Sequence, residues 1–173
     1  MRTLRIVALV FVVSCSFAGL ATAQTSFVAS LGQAYGGSAQ SSAGLYALAL
    51  GGSGAHNIGS ELEFSRIGHF KTVAGPERKI LTLMASVYAA VPLDVVRPYA
   101  IFGYGFIRQR TDESSGSAIS ELSNNDVGYN IGAGVTLRFA KHAGVRADFR
   151  HFKVRTSAGL SYQRFMVGIV LGG

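Results

Sequence analysis

Apolar and polar side chains alternate along the stretch 128–152, GYNIGAGVTLRFAKHAGVRADFRHF. From Tyr129 to Phe139 the odd positions are apolar or aromatic, and the even positions hold Asn, Gly, Thr and Arg. After the short segment AKHAG the alternation resumes over 145–150, where Arg, Asp and Arg occupy the even positions. Because successive side chains of a β-strand point to opposite faces, each segment is predicted to be a strand with one apolar and one charged face.

Eight runs of this kind follow residue 24, separated by turn-forming residues. They cover about 25–35, 44–53, 57–68, 79–91, 96–108, 127–139, 144–154 and 160–171. Most are close to the 9–11 residues that a tilted strand needs to cross a bilayer. The connections alternate between short ones such as PLDV and longer polar ones such as QRTDESSGSAISELSNND. Short turns on one rim and long loops on the other predict an all-β fold, an eight-stranded antiparallel up-and-down transmembrane β-barrel.

The faces of the strands can be oriented in two ways. A soluble periplasmic barrel would turn the apolar face inward and would expose Arg146, Asp148 and Arg150 to water. In a membrane barrel a charge on the lipid face costs about 2–4 kcal/mol near the midplane, so the charged face must line the lumen. We favour the membrane orientation, in which Arg66, the exception to the alternation, lies near a strand end where it can snorkel to the headgroups. This orientation predicts a lumen charge network that plugs a narrow barrel. Its predicted members are Glu61, Glu63, Arg138, Arg146, Asp148, Arg150 and Arg164.

The first 23 residues have the three regions of a secretory signal peptide. A basic start with Arg2 and Arg5 precedes an uncharged apolar run over 6–20, and the small-x-small sequence ATA ends at Ala23. We therefore expect a signal peptide over 1–23 and one barrel domain over 24–173. The chain's one cysteine, Cys15, lies within this signal, so cleavage after Ala23 leaves no cysteine. A lipoprotein-type cleavage that makes Cys15 the lipidated first residue is the alternative.

Charge and candidate chemistry exclude several classes of function. Without Arg2 and Arg5 the 16 Lys and Arg side chains fall to 14, against nine Asp and Glu, a net charge of +5. No dense basic run with interleaved aromatics is present, so nucleic acid is not an expected partner. The four histidines are scattered without metal-ligand spacing, and Glu61 with Glu63 is better explained by structural ion pairs than by a paired-carboxylate site. We expect no catalytic residues, no cofactor and no metal.

Aromatic side chains along the strands are candidates for the belts at the two membrane interfaces. These candidates are Tyr46, Tyr88, Tyr99, Tyr104, Tyr129, Phe139 and Tyr162.

Four segments resemble the OmpA/OmpX-like outer-membrane β-barrel domain family. They are RPYAIFGYGF (97–106), GYNIGAGVTLRF (128–139), VRADFRHF (145–152) and RFMVGIVL (164–171), the last of which is similar to the family's closing strand. The resemblance implies an eight-stranded barrel with a charged interior in the outer membrane of a Gram-negative-type cell. Such barrels usually end on an aromatic residue that the insertion machinery reads, whereas this chain ends Leu171-Gly172-Gly173.

The expected function is non-enzymatic: a barrel with a charged, largely plugged lumen that anchors in the envelope and presents surface loops. The expected partners are outer-membrane lipids, the barrel-insertion machinery and an extracellular partner of the acidic loop 109–126. The alternatives are a narrow, porin-like pore for small solutes and a lipid-modifying outer-membrane enzyme. The histidines do not match the deacylase pattern of a serine two residues after the catalytic histidine, because none of the four is followed by Ser at that position.

Overall fold

The structure is a computed structural model that describes residues 24–37, 42–54, 57–70, 78–111, 124–155 and 160–172. The predicted signal peptide over 1–23 and the middle of the acidic loop, 112–123, lie outside these residues. Among the described residues, no helix has the length and apolar character needed to cross a membrane.

Eight antiparallel strands close into one barrel, with each strand paired to its sequence neighbours and β1 paired to β8. This confirms the predicted fold class. The strands are β1 (Gln24–Tyr35), β2 (Ala43–Ser53), β3 (Ile58–Phe70), β4 (Arg78–Ala90), β5 (Val96–Thr111), β6 (Asn124–Ala140), β7 (Ala143–Val154) and β8 (Ser161–Gly172). The strands β5 and β6 extend further toward their long connection than the alternation indicates, and their pairing continues to Gln109 and Asn124.

The two rims of the barrel differ in the length of their connections. At one rim β2–β3, β4–β5 and β6–β7 are joined by the short segments 54–57, 91–95 and 141–142. Asn57 and Asp94 take left-handed φ angles of 59° and 52° in two of these turns, a conformation that Asn and Asp tolerate better than most residues. We call this rim, where β1 also begins and β8 ends, the short-turn end. The opposite rim, the long-loop end, carries the connections between β1–β2, β3–β4, β5–β6 and β7–β8.

The outer wall of the barrel is apolar. Large apolar side chains that alternate with the inward positions are exposed on every strand, including Leu31, Phe64, Phe102, Ile131 and Val167. In β7 the burial alternates residue by residue, so Val145 and Phe149 are exposed while Arg146, Asp148 and Arg150 are buried. Arg66, the exception to the alternation, lies on the exposed face of β3 together with Phe64. The charged faces therefore point inward and the apolar faces outward.

Close contact between neighbouring strands requires glycine at some inward positions. At Gly105 in β5, a Cβ atom would lie 2.8 Å from Met84 Cα and even closer to the Leu83 carbonyl oxygen of β4. These are backbone atoms of a paired strand and cannot move aside independently. Gly44 in β2 differs, because no atom lies within 4 Å of the place that its Cβ would occupy.

We predict that Gly105→Ala lowers the free energy of unfolding by about 1–3 kcal/mol through overpacking. Gly44→Ala is the matched control, and it is expected to stabilise the barrel slightly because alanine loses less backbone entropy than glycine on folding. Urea unfolding in neutral detergent, followed by far-ultraviolet circular dichroism, measures both. Equal effects of the two substitutions would contradict the close β4–β5 contact as the reason for Gly105.

Candidate functional site: the charged barrel interior

Two strands on opposite walls of the barrel supply most of the buried charge. Strand β7 presents Arg146, Asp148 and Arg150 at successive inward positions, and β3 presents Glu61 and Glu63 in the same way. In the closed order of eight strands, β3 and β7 are separated by three strands on either side. Ion pairs between them therefore cross the lumen from wall to wall.

Arg150 is the centre of the network. Its Nη2 atom lies 2.9 Å from Glu61 Oε1 and 3.0 Å from Asp148 Oδ2, and its Nε donates to Asp148 Oδ1 at 3.2 Å. Its Nη1 atom lies 3.3 Å from Glu63 Oε2. The side chain is 0 % exposed, so one guanidinium group holds three buried carboxylates away from solvent.

Two further arginines complete the charge balance. Arg146 forms an ion pair with Glu61 and lies 3.0 Å, Nη2 to Oδ2, from Asp148. Arg164 on β8 places Nη2 at 2.5 Å from Glu63 Oε2 and donates to Ser65 Oγ at 3.2 Å. The three arginines and the three carboxylates are all buried. We call these six residues, Glu61, Glu63, Arg146, Asp148, Arg150 and Arg164, the interior ion network.

Hydroxyl groups and aromatic rings fix the geometry of the interior ion network. Tyr99 on β5 accepts a hydrogen bond from Arg146 Nε at 2.5 Å and donates to Asp148 Oδ2 at 3.1 Å. The Arg164 guanidinium lies over the Phe152 ring, 4.6 Å from its centroid, and Phe152 stacks on Tyr162. Such hydrogen bonds and cation–π contacts partly replace the hydration that buried ions lose.

Arg138 is the one predicted member that the structure does not place in the network. It is half-buried near the short-turn end of β6, and no ion pair recorded among the described residues includes it. The reason is position along the axis. Arg138 pairs in register with Gly144, whereas Arg146 pairs with Thr136. Arg138 is therefore one inward position closer to the short-turn rim than the level of Arg146.

The sequence-based prediction describes the lumen by its charges, but part of the lumen is apolar. The half of the interior next to the long-loop end is filled by buried, mainly apolar side chains. This group, the apolar plug, comprises Ala34, Ala43, Leu45, Ala47, Ile67, Ile80, Met84, Ile107, Phe152, Val154, Leu160, Tyr162 and Met166. The apolar plug adjoins the ion network, since Met84 pairs in register with Glu63 and Met166 with Asp148, and it extends from there toward the long-loop end. Alternation alone misses the apolar plug because an inward apolar residue interrupts the pattern and resembles a strand end.

Three of the tyrosines considered for interfacial belts point into the lumen instead. Tyr99 and Tyr162 are buried and Tyr88 is half-buried, all at inward positions. Tyr88 and Tyr99 contact each other edge to face, 6.1 Å between ring centroids. Tyr46, Tyr104 and Phe139 are exposed on the outer wall, where belt residues belong.

Residues 6–171 match the family described as outer membrane protein beta-barrel domain. The chain belongs to this family. As an outer-membrane barrel of the Gram-negative type, it crosses the membrane with its eight strands, and its apolar outer wall faces lipid. Within the family's usual orientation the short turns lie on the periplasmic side and the long loops outside.

Solved structures with the same fold have little sequence identity to this barrel. Neisserial surface protein A has a TM-score of 0.65 at 14% identity, with 86% of this chain and 96% of that chain covered. Ail, the attachment invasion locus protein of Yersinia pestis, in complex with the heparin analogue sucrose octasulfate, has 0.63 at 14%, covering 88% and 99%. The outer membrane enzyme PagL has 0.51 at 14%, covering 84% and 98%. A search of curated proteins gives no match.

Metal binding has no support in the part of the chain that the structure describes. There, no group of three or more His, Cys, Asp or Glu side chains is arranged to hold a metal ion. The carboxylates that lie close together, Glu61, Glu63 and Asp148, are each paired with arginine.

Proposed function

We propose that this outer-membrane barrel is a sealed, non-enzymatic envelope anchor that presents its long connections on the cell surface. The observation that carries the proposal is the interior ion network, which joins the opposite strands β3 and β7 across the lumen. Its three positive and three negative charges balance, so the network needs no mobile counter-ion. Ions that passed through the lumen would have to displace these pairs.

The apolar plug supports the same proposal independently. Ile67, Ile80 and Ile107 are almost fully buried at inward positions of three adjacent strands. Hydrated ions do not pass readily through a layer of packed apolar side chains. The lumen is therefore closed twice, by ion pairs in its middle and by apolar packing toward the outside.

Surface presentation is assigned to the acidic loop 109–126. The paired ends of β5 and β6 hold its base, where Gln109 donates to Asp126 Oδ2 at 3.3 Å. The residues 112–123 carry Asp112, Glu113 and Glu121. An acidic loop of this kind would attract a partner with a cationic surface. The sulfated ligand in the Ail structure is itself anionic, so a ligand of that kind does not suit this loop.

Catalysis is not part of the proposal, although PagL shows that an enzyme can be built on this fold. His142 lies exposed in the β6–β7 turn, on the periplasmic rim. His151 occupies an outward position in β7 beside Phe152, which belongs to the interior. These two histidines lie on different surfaces of the barrel, so they do not form a common acyl-transfer site.

We predict that the purified protein gives no steady conductance in planar bilayers. Glu61→Ala and Arg146→Ala, which each break the interior ion network, are expected to remain closed because the apolar plug seals the outer half. A steady current through the wild-type protein would overturn the sealed lumen. A current that appears only in the variants would identify the ion network as the gate and favour the narrow-pore alternative.

A further inference from the structure

The lumen is open at the short-turn end, below the interior ion network. A cavity of about 80 Å³ lies there, lined by inward residues of all eight strands and by Asn57 of the β2–β3 turn. A single buried water needs roughly 10–15 Å³ on the same scale. The cavity therefore has room for a small polyatomic group with some of its hydration. We call it the periplasmic vestibule.

The charge of the periplasmic vestibule is unbalanced. Glu61 and Arg146 line its inner end and neutralise each other through their ion pair. Arg97 on β5 and Arg138 on β6 also line it. Among the described residues, no recorded ion pair uses either of these two arginines. The vestibule thus holds two positive charges that no carboxylate on its wall offsets.

The two uncompensated arginines are close neighbours in the sheet. Arg97 pairs in register with Thr136, and Arg138 is two residues further along β6 on the same inward face. Such diagonal positions lie about 7–8 Å apart at their Cα atoms, well within reach of long side chains. Like charges at this distance repel, and an anion between them removes the repulsion.

An unsatisfied donor marks the same place. The Nε atom of Arg97 is buried and has no hydrogen-bond partner in the structure. A buried donor without an acceptor is unfavourable unless a bound group supplies one. Hydroxyl groups of Ser26 and Thr136 on the vestibule wall offer further hydrogen bonds.

We propose that the periplasmic vestibule is a binding site for a small oxyanion, a carboxylate or phosphate group that enters from the periplasm. Arg97 and Arg138 hold it from adjacent strands, because planar guanidinium groups donate paired hydrogen bonds to carboxylate and phosphate oxygens. The interior ion network forms the closed end of the site. The anion therefore binds and leaves on the same side of the membrane without crossing it.

The test is a titration of the barrel, in neutral detergent micelles, followed by nuclear magnetic resonance of ¹⁵N-labelled arginine Nε–H groups. Inorganic phosphate is expected to shift the Arg97 and Arg138 signals saturably and to leave Arg66, on the outer wall, unchanged. Arg97→Gln and Arg138→Gln should each weaken binding about tenfold, the effect of losing one charged hydrogen bond. Arg66→Gln removes the same charge elsewhere and should leave the affinity unaltered.

Two further arms make the outcome decisive. Arg97→Lys keeps the charge without the paired geometry, so it should fold even if the glutamine variant does not, and it should bind more weakly than wild type. Trialanine with a free carboxylate, compared with its amidated form, distinguishes an anionic group carried on a peptide from a free anion. Shifts that do not saturate and include Arg66, or an affinity that is the same in all variants, would overturn the proposal.

Discussion

Replacing Arg150 with methionine is expected to lower the free energy of unfolding by about 3–5 kcal/mol, the range for breaking a buried ion pair from one side. Arg150 contacts Glu61, Glu63 and Asp148, and its side chain is fully buried. Methionine fills a similar volume but supplies no positive charge. The remaining network would contain three carboxylates and two arginines in a medium that disfavours unpaired ions. Urea unfolding in neutral detergent, with a heat-modifiability gel as a second readout, measures the loss.

The matched control for this prediction is Arg66→Met. Arg66 lies on the exposed face of β3, so the same charge is removed without disturbing the interior. The effect of an exposed substitution of this kind is usually within about 0.5 kcal/mol. Similar losses for Arg66→Met and Arg150→Met would show that the barrel responds to net charge and not to the interior ion network.

A second substitution should restore stability if the charge balance is the cause. The double variant Arg150→Met/Asp148→Asn leaves two arginines and two carboxylates. Glu61 then keeps its ion pair with Arg146, and Glu63 keeps its ion pair with Arg164. We expect the double variant to be more stable than Arg150→Met alone. Further destabilisation by Asp148→Asn in the double variant would contradict this interpretation, because the substitution removes the one negative charge that exceeds the two remaining arginines.

The sequence predicts the strands well because alternation is a direct consequence of strand geometry. Each of the eight observed strands overlaps one predicted run, and the inward parity of Glu61, Glu63, Arg146 and Arg164 follows from the high cost of charge in lipid. That six charged residues meet in one network follows from closure of the barrel. The pairing of a particular arginine with a particular carboxylate depends on the register across strands, which the chain's local pattern does not contain.

The structure departs from the sequence-based predictions at Arg138 and at two tyrosines, and in each case the position of the residue in the closed barrel is the cause. Arg138 has the correct inward parity, but the height of a residue along the barrel axis is set by the stagger between strands, and here it ends below the network. Tyr88 and Tyr162 share the parity of Ser86 and Arg164 and point into the lumen, although their residue type suggests an interfacial belt. Parity is the stronger guide for such residues, since an aromatic ring can pack equally well on either face.

The second large effect on stability is expected when an outward residue near the middle of a strand is replaced by a charged residue. Phe149 lies at the centre of β7, on the apolar outer wall, 41 % exposed and paired in register with Phe165. Phe149→Arg is expected to lower the free energy of unfolding in lipid vesicles by about 2–4 kcal/mol, because the guanidinium group would be placed near the bilayer midplane. The loss is measured by urea unfolding in vesicles followed by tyrosine fluorescence.

Phe139→Arg is the matched control, since the residue change is identical and only the depth differs. Phe139 is also on the outer wall, 69 % exposed, but it is next to the last residue of β6 at the short-turn end. There an arginine can reach the headgroups, and the expected loss is about 0–1 kcal/mol. Because the two variants differ only in depth within one bilayer, the difference between their losses of unfolding free energy isolates the membrane's contribution. Equal losses at Phe139 and Phe149 would mean that the outer wall of β7 is not in contact with the hydrocarbon core.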